Sequence, residues 1–263
     1  MISYKYKIFG LVIIVTLGII AYLIFKPSKE NITCNDKHHF YRKKGINSIY
    51  FSEAYKNMSQ QEQKTRNLCP NFTQKGYIAK KLSPHLKTRL KNLWEKKKHL
   101  KKPEKVPHEV IWGTENSSNE LLYNLDIATH DPSLKKDLEN YIKNQLSQWT
   151  GKQNLIHTAT FGIREYKRGA TLKVHCDRYD THVLSAILHV KHKQEKPWPL
   201  AVWDHQGNKE NILLDNNIDL VLYESVGIMH GRPYPFEGDS YVNIFIHFSV
   251  PGWKEKMDEI LQK

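Results

Sequence analysis

The hydrophobic period of this chain changes at Gly151, and that change limits what the chain can fold into. Upstream, the run DPSLKKDLENYIKNQLSQW sets Leu134, Leu138, Ile142, Leu146 and Trp149 on one helical stripe. Asp131 predicts an N-cap, Pro132 the first helical position and Gly151 the stop. Downstream come short segments rich in β-branched and aromatic residues: HTATFGI, HVLSAILHV, LAVWD, NILLD, DLVLYE and YVNIFIHF. Turn-rich pieces such as WDHQGNKEN and HGRPYPFEGDS separate them. Helices followed by many short, near-evenly spaced strands predict an α+β fold over residues 152–253. The expected core is an all-β barrel or a double-sheet jelly roll (a double-stranded β-helix), with supporting helices packed on one side.

The first half has a different character. Residues 1–151 carry 26 Lys/Arg against 13 Asp/Glu, whereas residues 152–263 carry 14 of each, so the net charge of +13 lies wholly outside the strand-rich part. Within residues 76–151, read as a helical support region, Leu82, Leu86, Leu90, Leu93 and Leu100 recur at helical spacing after a Ser83-Pro84 start. The lysines of that helix read as a solvated face, or as a surface for an acidic partner or lipid headgroups. No aromatic interleaving accompanies them, so a nucleic-acid partner is not expected.

After a short tail, residues 1–7, the uncharged run from Ile8 to Phe25 covers about 27 Å as a helix, which predicts a transmembrane signal anchor at 8–25. No small cleavage-site residues follow Phe25. Lysines and arginines after the span would place the bulk of the chain in the cytosol. Sequons at Asn31, Asn57, Asn71 and Asn116 argue for the opposite orientation. We expect a single-pass type II glycoprotein with its body in the ER or Golgi lumen. Residues 26–75 read as a polar stem, in which Cys34 and Cys69 have the chance to pair, leaving Cys176 alone. Residues 254–263 read as a tail.

The chemistry concentrates in GATLKVHCDRYDTHVLSAILHV. On a strand, residues i and i+2 share a face, so His175 and Asp177 are neighbours while Cys176 points away. An imidazole and a carboxylate are half of a borderline metal site. A second histidine would complete a 2-His-1-carboxylate face, which leaves three octahedral positions open on iron(II). The candidates are His182, His189, His205, His230 and His247. His182 stands too near His175, His189 and His247 sit inside apolar strands as core histidines, and His205 falls in a turn that reads as exposed. His230 follows an apolar strand and precedes a turn, a place suited to a barrel mouth, and is the choice.

With the pieces GIREYKRGATLKVHCDR, KPWPLAVWDHQG, DLVLYESVGIMHGRPYPFEG and YVNIFIHFSVPGW, the sequence resembles the iron(II)/2-oxoglutarate dioxygenases of the prolyl 4-hydroxylase type. The resemblance implies Fe(2+) at His175, Asp177 and His230, with 2-oxoglutarate as cosubstrate, dioxygen as oxidant and L-ascorbate as a requirement. It also implies a protein or peptide substrate, proline by preference. Oxidative decarboxylation to succinate would then drive hydroxylation of a C–H bond. Family members place Lys or Arg nine or ten residues past the distal histidine to hold the far carboxylate. Here those positions are Asp239 and Ser240: the first would repel a carboxylate and the second offers only a neutral hydrogen bond. Arg232 could supply the charge instead, or be a surface residue of the turn. Tyr166 matches a tyrosine that relatives use on the same carboxylate, or is a core aromatic. Arg164 and Lys173 are weaker candidates.

Two other functions fit the same residues. One is a catalytically inactive jelly-roll binding module. The other is a zinc hydrolase, for which Glu224 or Glu237 would have to act as base. The same oxygenase chemistry could also act on a non-protein substrate.

Overall fold

The computed structural model describes residues 56, 60–104, 111–112 and 121–262. The expected span at 8–25, the tail 1–7, Cys34 and the sequons at Asn31, Asn57 and Asn116 lie outside the described residues. Among the described residues, no helix is long and apolar enough to cross a membrane.

Two antiparallel sheets make the core. The larger holds seven strands: β1 (Tyr77–Lys80), β2 (Lys102–Pro103), β4 (Leu122–Asn124), β5 (Ile156–Tyr166), β7 (Leu184–Gln194), β10 (Leu220–Tyr223) and β12 (Gly238–Ser249). Their spatial order is β1-β10-β7-β12-β5-β4-β2. The smaller holds β3 (Ile111–Trp112), β6 (Thr171–His175), β8 (Leu200–Trp203), β9 (Lys209–Ile212) and β11 (His230–Arg232), in the order β3-β6-β11-β8-β9. This alternation of strands between two sheets is the expected jelly roll.

Side-chain alternation divides the core. Leu184, Ala186 and Leu188 of β7 turn toward the helices, whereas Ile187 turns inward between the sheets. Both faces of the central strands are therefore buried, which explains their near-continuous apolar sequence. The helical layer is α2 (Pro84–Lys97), α3 (Ile127–His130) and α4 (Pro132–Thr150). Leu134, Leu138, Ile142 and Leu146 of α4 are fully buried, each stabilising the fold by about 1.5–3 kcal/mol. Asp131 accepts from the Leu134 amide at 2.8 Å, and Gly151 closes α4 in the left-handed region at φ 70°. In α2, Pro84 opens the helix as expected, but Ser83 makes no side-chain cap. Leu100 lies past the helix end and is exposed.

Two expected boundaries move, and one region differs in content. Part of the expected stem belongs to the folded body: α1 (Gln60–Leu68) precedes a buried Cys69, and Phe72 packs on Trp253 with ring centroids 5.4 Å apart. The described residues of the region 76–151 supply four strands as well as helices, in runs of two to four residues that are too short to show a period. The expected tail is α5 (Trp253–Gln262), with Trp253 and Met257 in the core.

Candidate metal centre

β6 ends at His175, and Asp177 follows in the loop beyond it. The expected two-residue strand spacing therefore does not by itself bring the pair together. The Asp177 amide donates to the Ser225 carbonyl at 2.9 Å and turns the carboxylate back. His175 Nε2 then lies 3.3 Å from Asp177 Oδ1. Cys176 faces away as expected, into a small outer cluster with Val174, Ala201, Trp203 and Met229.

His230 opens β11, which is threaded between β6 and β8 and pairs directly opposite His175. Its Nε2 lies 3.6 Å from the same Asp177 Oδ1, and the two imidazole centroids are 4.5 Å apart. Gly231 permits this approach: a Cβ there would stand 2.8 Å from the Lys173 carbonyl oxygen and 2.8 Å from Val174 Cα.

Each ring is oriented from behind. His175 Nδ1 lies 2.7 Å from the Lys173 carbonyl and His230 Nδ1 2.9 Å from the Ile228 carbonyl. A carbonyl only accepts, so each Nδ1 carries the proton and each Nε2 keeps its lone pair toward Asp177. One potential ligand atom from each of the three residues lies within 4.8 Å of the others. Burial alone would push the Asp177 carboxyl up, but the His230, His175 and His247 imidazoles, when protonated, hold it far below the usual range. Its Oδ2 is buried without a hydrogen bond among the described residues. Two lone pairs and a carboxylate kept ionised are a donor set that suits a divalent cation such as iron(II).

The other histidines sort differently. His189 is buried, bonded to Asn243 at 2.9 Å and to His192 at 2.9 Å, as a core histidine should be. His205 is not exposed. It is buried against Glu224 at 3.0 Å, because its turn folds back under the segment at residues 72–76. Glu224 also accepts from the Phe72 and Thr73 amides at 2.9 and 2.7 Å and from the Thr73 hydroxyl at 2.6 Å. Glu237 is on the surface beside Lys196 at 2.8 Å. Neither carboxylate is placed as the base that a zinc hydrolase needs.

Arg232 is not a surface charge. It is 2 % exposed, its Nη1 donates to the Trp198 carbonyl and its Nη2 to the Tyr241 hydroxyl at 3.3 Å. The guanidinium lies 4.6 Å from the ring centroids of both Trp198 and Tyr241. Among the described residues no carboxylate forms an ion pair with it, although a buried cation costs several kcal/mol without one. Tyr166 is buried beside it, edge-on to Trp198 at 5.3 Å. Burial raises its phenol, against the lowering pull of Arg164 and Arg232. Arg164 itself is occupied by both oxygens of Glu104, at 2.7 and 2.5 Å.

Ser240 does not join this group. Its hydroxyl donates to Glu165 Oε1 at 2.5 Å, while the next residue, Tyr241, points between the sheets. Strand alternation sends the two side chains to opposite faces. Asp239 is exposed and paired with Lys193 at 2.6 Å. Trp198 and Tyr241 were not singled out in the sequence. Their only sign was aromatic content in apolar segments, which core packing explains equally well.

No family model matches the sequence, and no curated protein matches it. Solved structures do. A prolyl-4-hydroxylase from Pseudomonas putida matches at TM-score 0.50 and 14% identity, covering 67% of this chain and 93% of that one. A prolyl hydroxylase from Trichoplax adhaerens, in complex with a hypoxia inducible factor oxygen degradation domain peptide fragment, matches at TM-score 0.51 and 12% identity, covering 80% and 96%. The chain therefore has the jelly-roll fold of these hydroxylases, and at that identity the likeness is one of fold. On that fold it carries two histidines and one aspartate converging between the sheets.

Proposed function

We propose that this protein is an iron(II)- and 2-oxoglutarate-dependent dioxygenase that hydroxylates a protein or peptide side chain. The observation that carries the proposal is the pair of imidazoles, each pinned through Nδ1, that present Nε2 to one oxygen of Asp177. His175, Asp177 and His230 would hold the iron, whose chemistry when bound is to activate dioxygen with electrons from 2-oxoglutarate.

The chain's own residues do the rest. Arg232 supplies a buried cation with no paired carboxylate among the described residues, suited to the far carboxylate of 2-oxoglutarate, and Tyr166 stands beside it with a phenol kept protonated. Trp198, Tyr241 and Phe236 pack together as an aromatic cluster beside the guanidinium, which excludes water and strengthens the charge pairing. Proline is proposed as the target because the two solved structures described above, similar in fold, are prolyl hydroxylases. The apolar run at 8–25 would anchor the chain in a membrane, with the body in the ER or Golgi lumen, and ascorbate would keep the iron reduced.

The test is succinate release from 2-oxoglutarate by the full chain with iron(II) and ascorbate, with and without proline-containing peptides. Turnover that disappears in Asp177→Ala supports the proposal. Absence of turnover in a wild-type protein that binds iron would leave the inactive binding module standing instead.

A further inference from the structure

Glu224 is a buried carboxylate that lies outside the ligand set, and it opens the turn 224–229 between β10 and β11. Its two oxygens take four donors. Oε1 accepts from the Thr73 amide at 2.7 Å and the Thr73 hydroxyl at 2.6 Å. Oε2 accepts from the Phe72 amide at 2.9 Å and from His205 Nε2 at 3.0 Å. A carboxylate only accepts, so His205 carries a proton on Nε2. The Glu224 amide in turn donates to the Gly76 carbonyl at 2.8 Å, and the Gly76 amide donates to Thr73 Oγ at 3.0 Å. Residues 72–76 therefore hold Glu224 by side chain and backbone together. Two glycines permit the close approach: a Cβ on Gly76 would overlap Ile228 Cδ1, and one on Gly227 would stand 2.8 Å from Cys69 Sγ.

The same turn holds two of the three ligands. The Glu224 carbonyl accepts from the Gly227 and Ile228 amides, each at 2.9 Å, which closes the turn. The next carbonyl, that of Ser225, takes the Asp177 amide at 2.9 Å. The Ile228 carbonyl takes His230 Nδ1 at 2.9 Å. One short turn thus aims both Asp177 and His230, and its first residue is anchored to a segment that precedes β1 and lies outside both sheets.

We infer that Glu224 and Thr73 are positioning residues of the metal centre: by fixing the turn 224–229, they keep the Ser225 and Ile228 carbonyls where Asp177 and His230 converge. This rests on the metal reading given above and extends it to residues that do not touch the metal. Ligand atoms bind tightly only when the groups behind them are themselves locked. Releasing the Glu224 carboxylate frees the turn, and both ligands then lose their common reference. The segment 72–76, upstream of the jelly roll, belongs to the metal centre in this sense.

Cobalt(II) binding to the full chain, purified in mild detergent, tests the inference by calorimetry and by the visible d–d spectrum at saturating metal, without turnover. In Glu224→Gln, whichever end takes the NH2 group confronts the backbone N–H of Phe72 or Thr73, so the anchor opens with little change in size. This variant is expected to weaken cobalt binding by about tenfold, the low end of what losing an outer partner costs, and to shift the d–d bands. Thr73→Val removes one donor and is expected to move both readings the same way by less. Ile142→Val loosens the packing of α4 and is expected to lower Tm with affinity and bands unchanged, which separates positioning from stability alone. Circular dichroism checks folding, and if Glu224→Gln does not fold, Thr73→Val decides. Wild-type affinity and spectrum in the folded variants, with binding lost in Asp177→Ala, would overturn the positioning role and leave the metal reading intact. Failure of the wild-type chain to bind cobalt would overturn both.

Discussion

His175 and His230 are 55 residues apart by number yet sit directly opposite each other on β6 and β11, with both Nε2 atoms trained on Asp177 Oδ1. Neither ring reaches the other except through that strand pairing, so each is expected to be indispensable for metal binding. His175→Ala and His230→Ala should each reduce cobalt(II) or iron(II) affinity by about 100-fold or more, since loss of a direct ligand exceeds the 10–100-fold cost of losing an outer partner. Calorimetric titration of the apo-protein checks this, with unfolding midpoints expected to stay near wild type.

Gly231, next to His230 on β11, lies against the backbone of β6. A methyl group there would overlap the Lys173 carbonyl and Val174 Cα. Gly231→Ala should cost about 1–3 kcal/mol of stability and displace His230 from Asp177. Denaturant unfolding read beside metal titration should show both losses together.

Arg232→Ala should weaken 2-oxoglutarate binding by at least about tenfold while metal affinity is retained. Arg232→Lys should recover only part of it, because an ammonium cannot reproduce the two-pronged contact or the stacking between Trp198 and Tyr241. Trp198 beside the guanidinium provides a fluorescence signal for the titration. Unchanged affinity in Arg232→Ala would remove this residue from the cosubstrate site.

Ser240→Ala should leave 2-oxoglutarate affinity as it is, because the hydroxyl belongs to Glu165 on the other face of β12. Loss of that hydrogen bond should cost stability by about 1 kcal/mol, visible as a small fall in Tm.

His189 provides a pH test remote from the metal ligands. Burial lowers its pKa from 6.5 to about 3, against the raising effect of Asn243. Below pH 6.5 the unfolded chain takes up a proton that the folded chain refuses, so stability falls as pH falls. The contribution should be fully present above 6.5 and decline toward about 3, with a slope of at most about 1.4 kcal/mol per pH unit. Unfolding free energy measured across that window should fall less steeply in His189→Gln.

Local patterns carried the sequence reading wherever a structural feature depends on near neighbours. The stripe Leu134–Leu138–Ile142–Leu146, capped by Asp131 and stopped by Gly151, was legible because a helix is built from contacts three and four residues apart. Cys176 could be turned outward on alternation alone. The short strands β1, β2, β3 and β4 were not legible, because runs of two to four residues have no measurable period and form only by pairing with strands already in place.

The histidines show where local pattern stops. His205 stands in a turn and reads as exposed, yet Glu224 and the segment at residues 72–76 cover it. Arg232 lies next to the turn after His230 and reads equally well as a surface charge, until Trp198 and Tyr241 close over it. Ser240 and Tyr241 are adjacent, and which of them points between the sheets depends on the register of β12 with β5 and β7.

By itself, the sequence determined the residue types and the order of the strands: His175 and Asp177 at one strand end, and His230 after another. Only the tertiary structure decided that Asp177 turns back through Ser225, that β11 slides between β6 and β8, and that Arg232 is buried with no paired carboxylate among the described residues. The physical reason is range. Side-chain period and capping act over a few residues, whereas burial, charge pairing and ligand convergence depend on which distant backbones hydrogen-bond to each other.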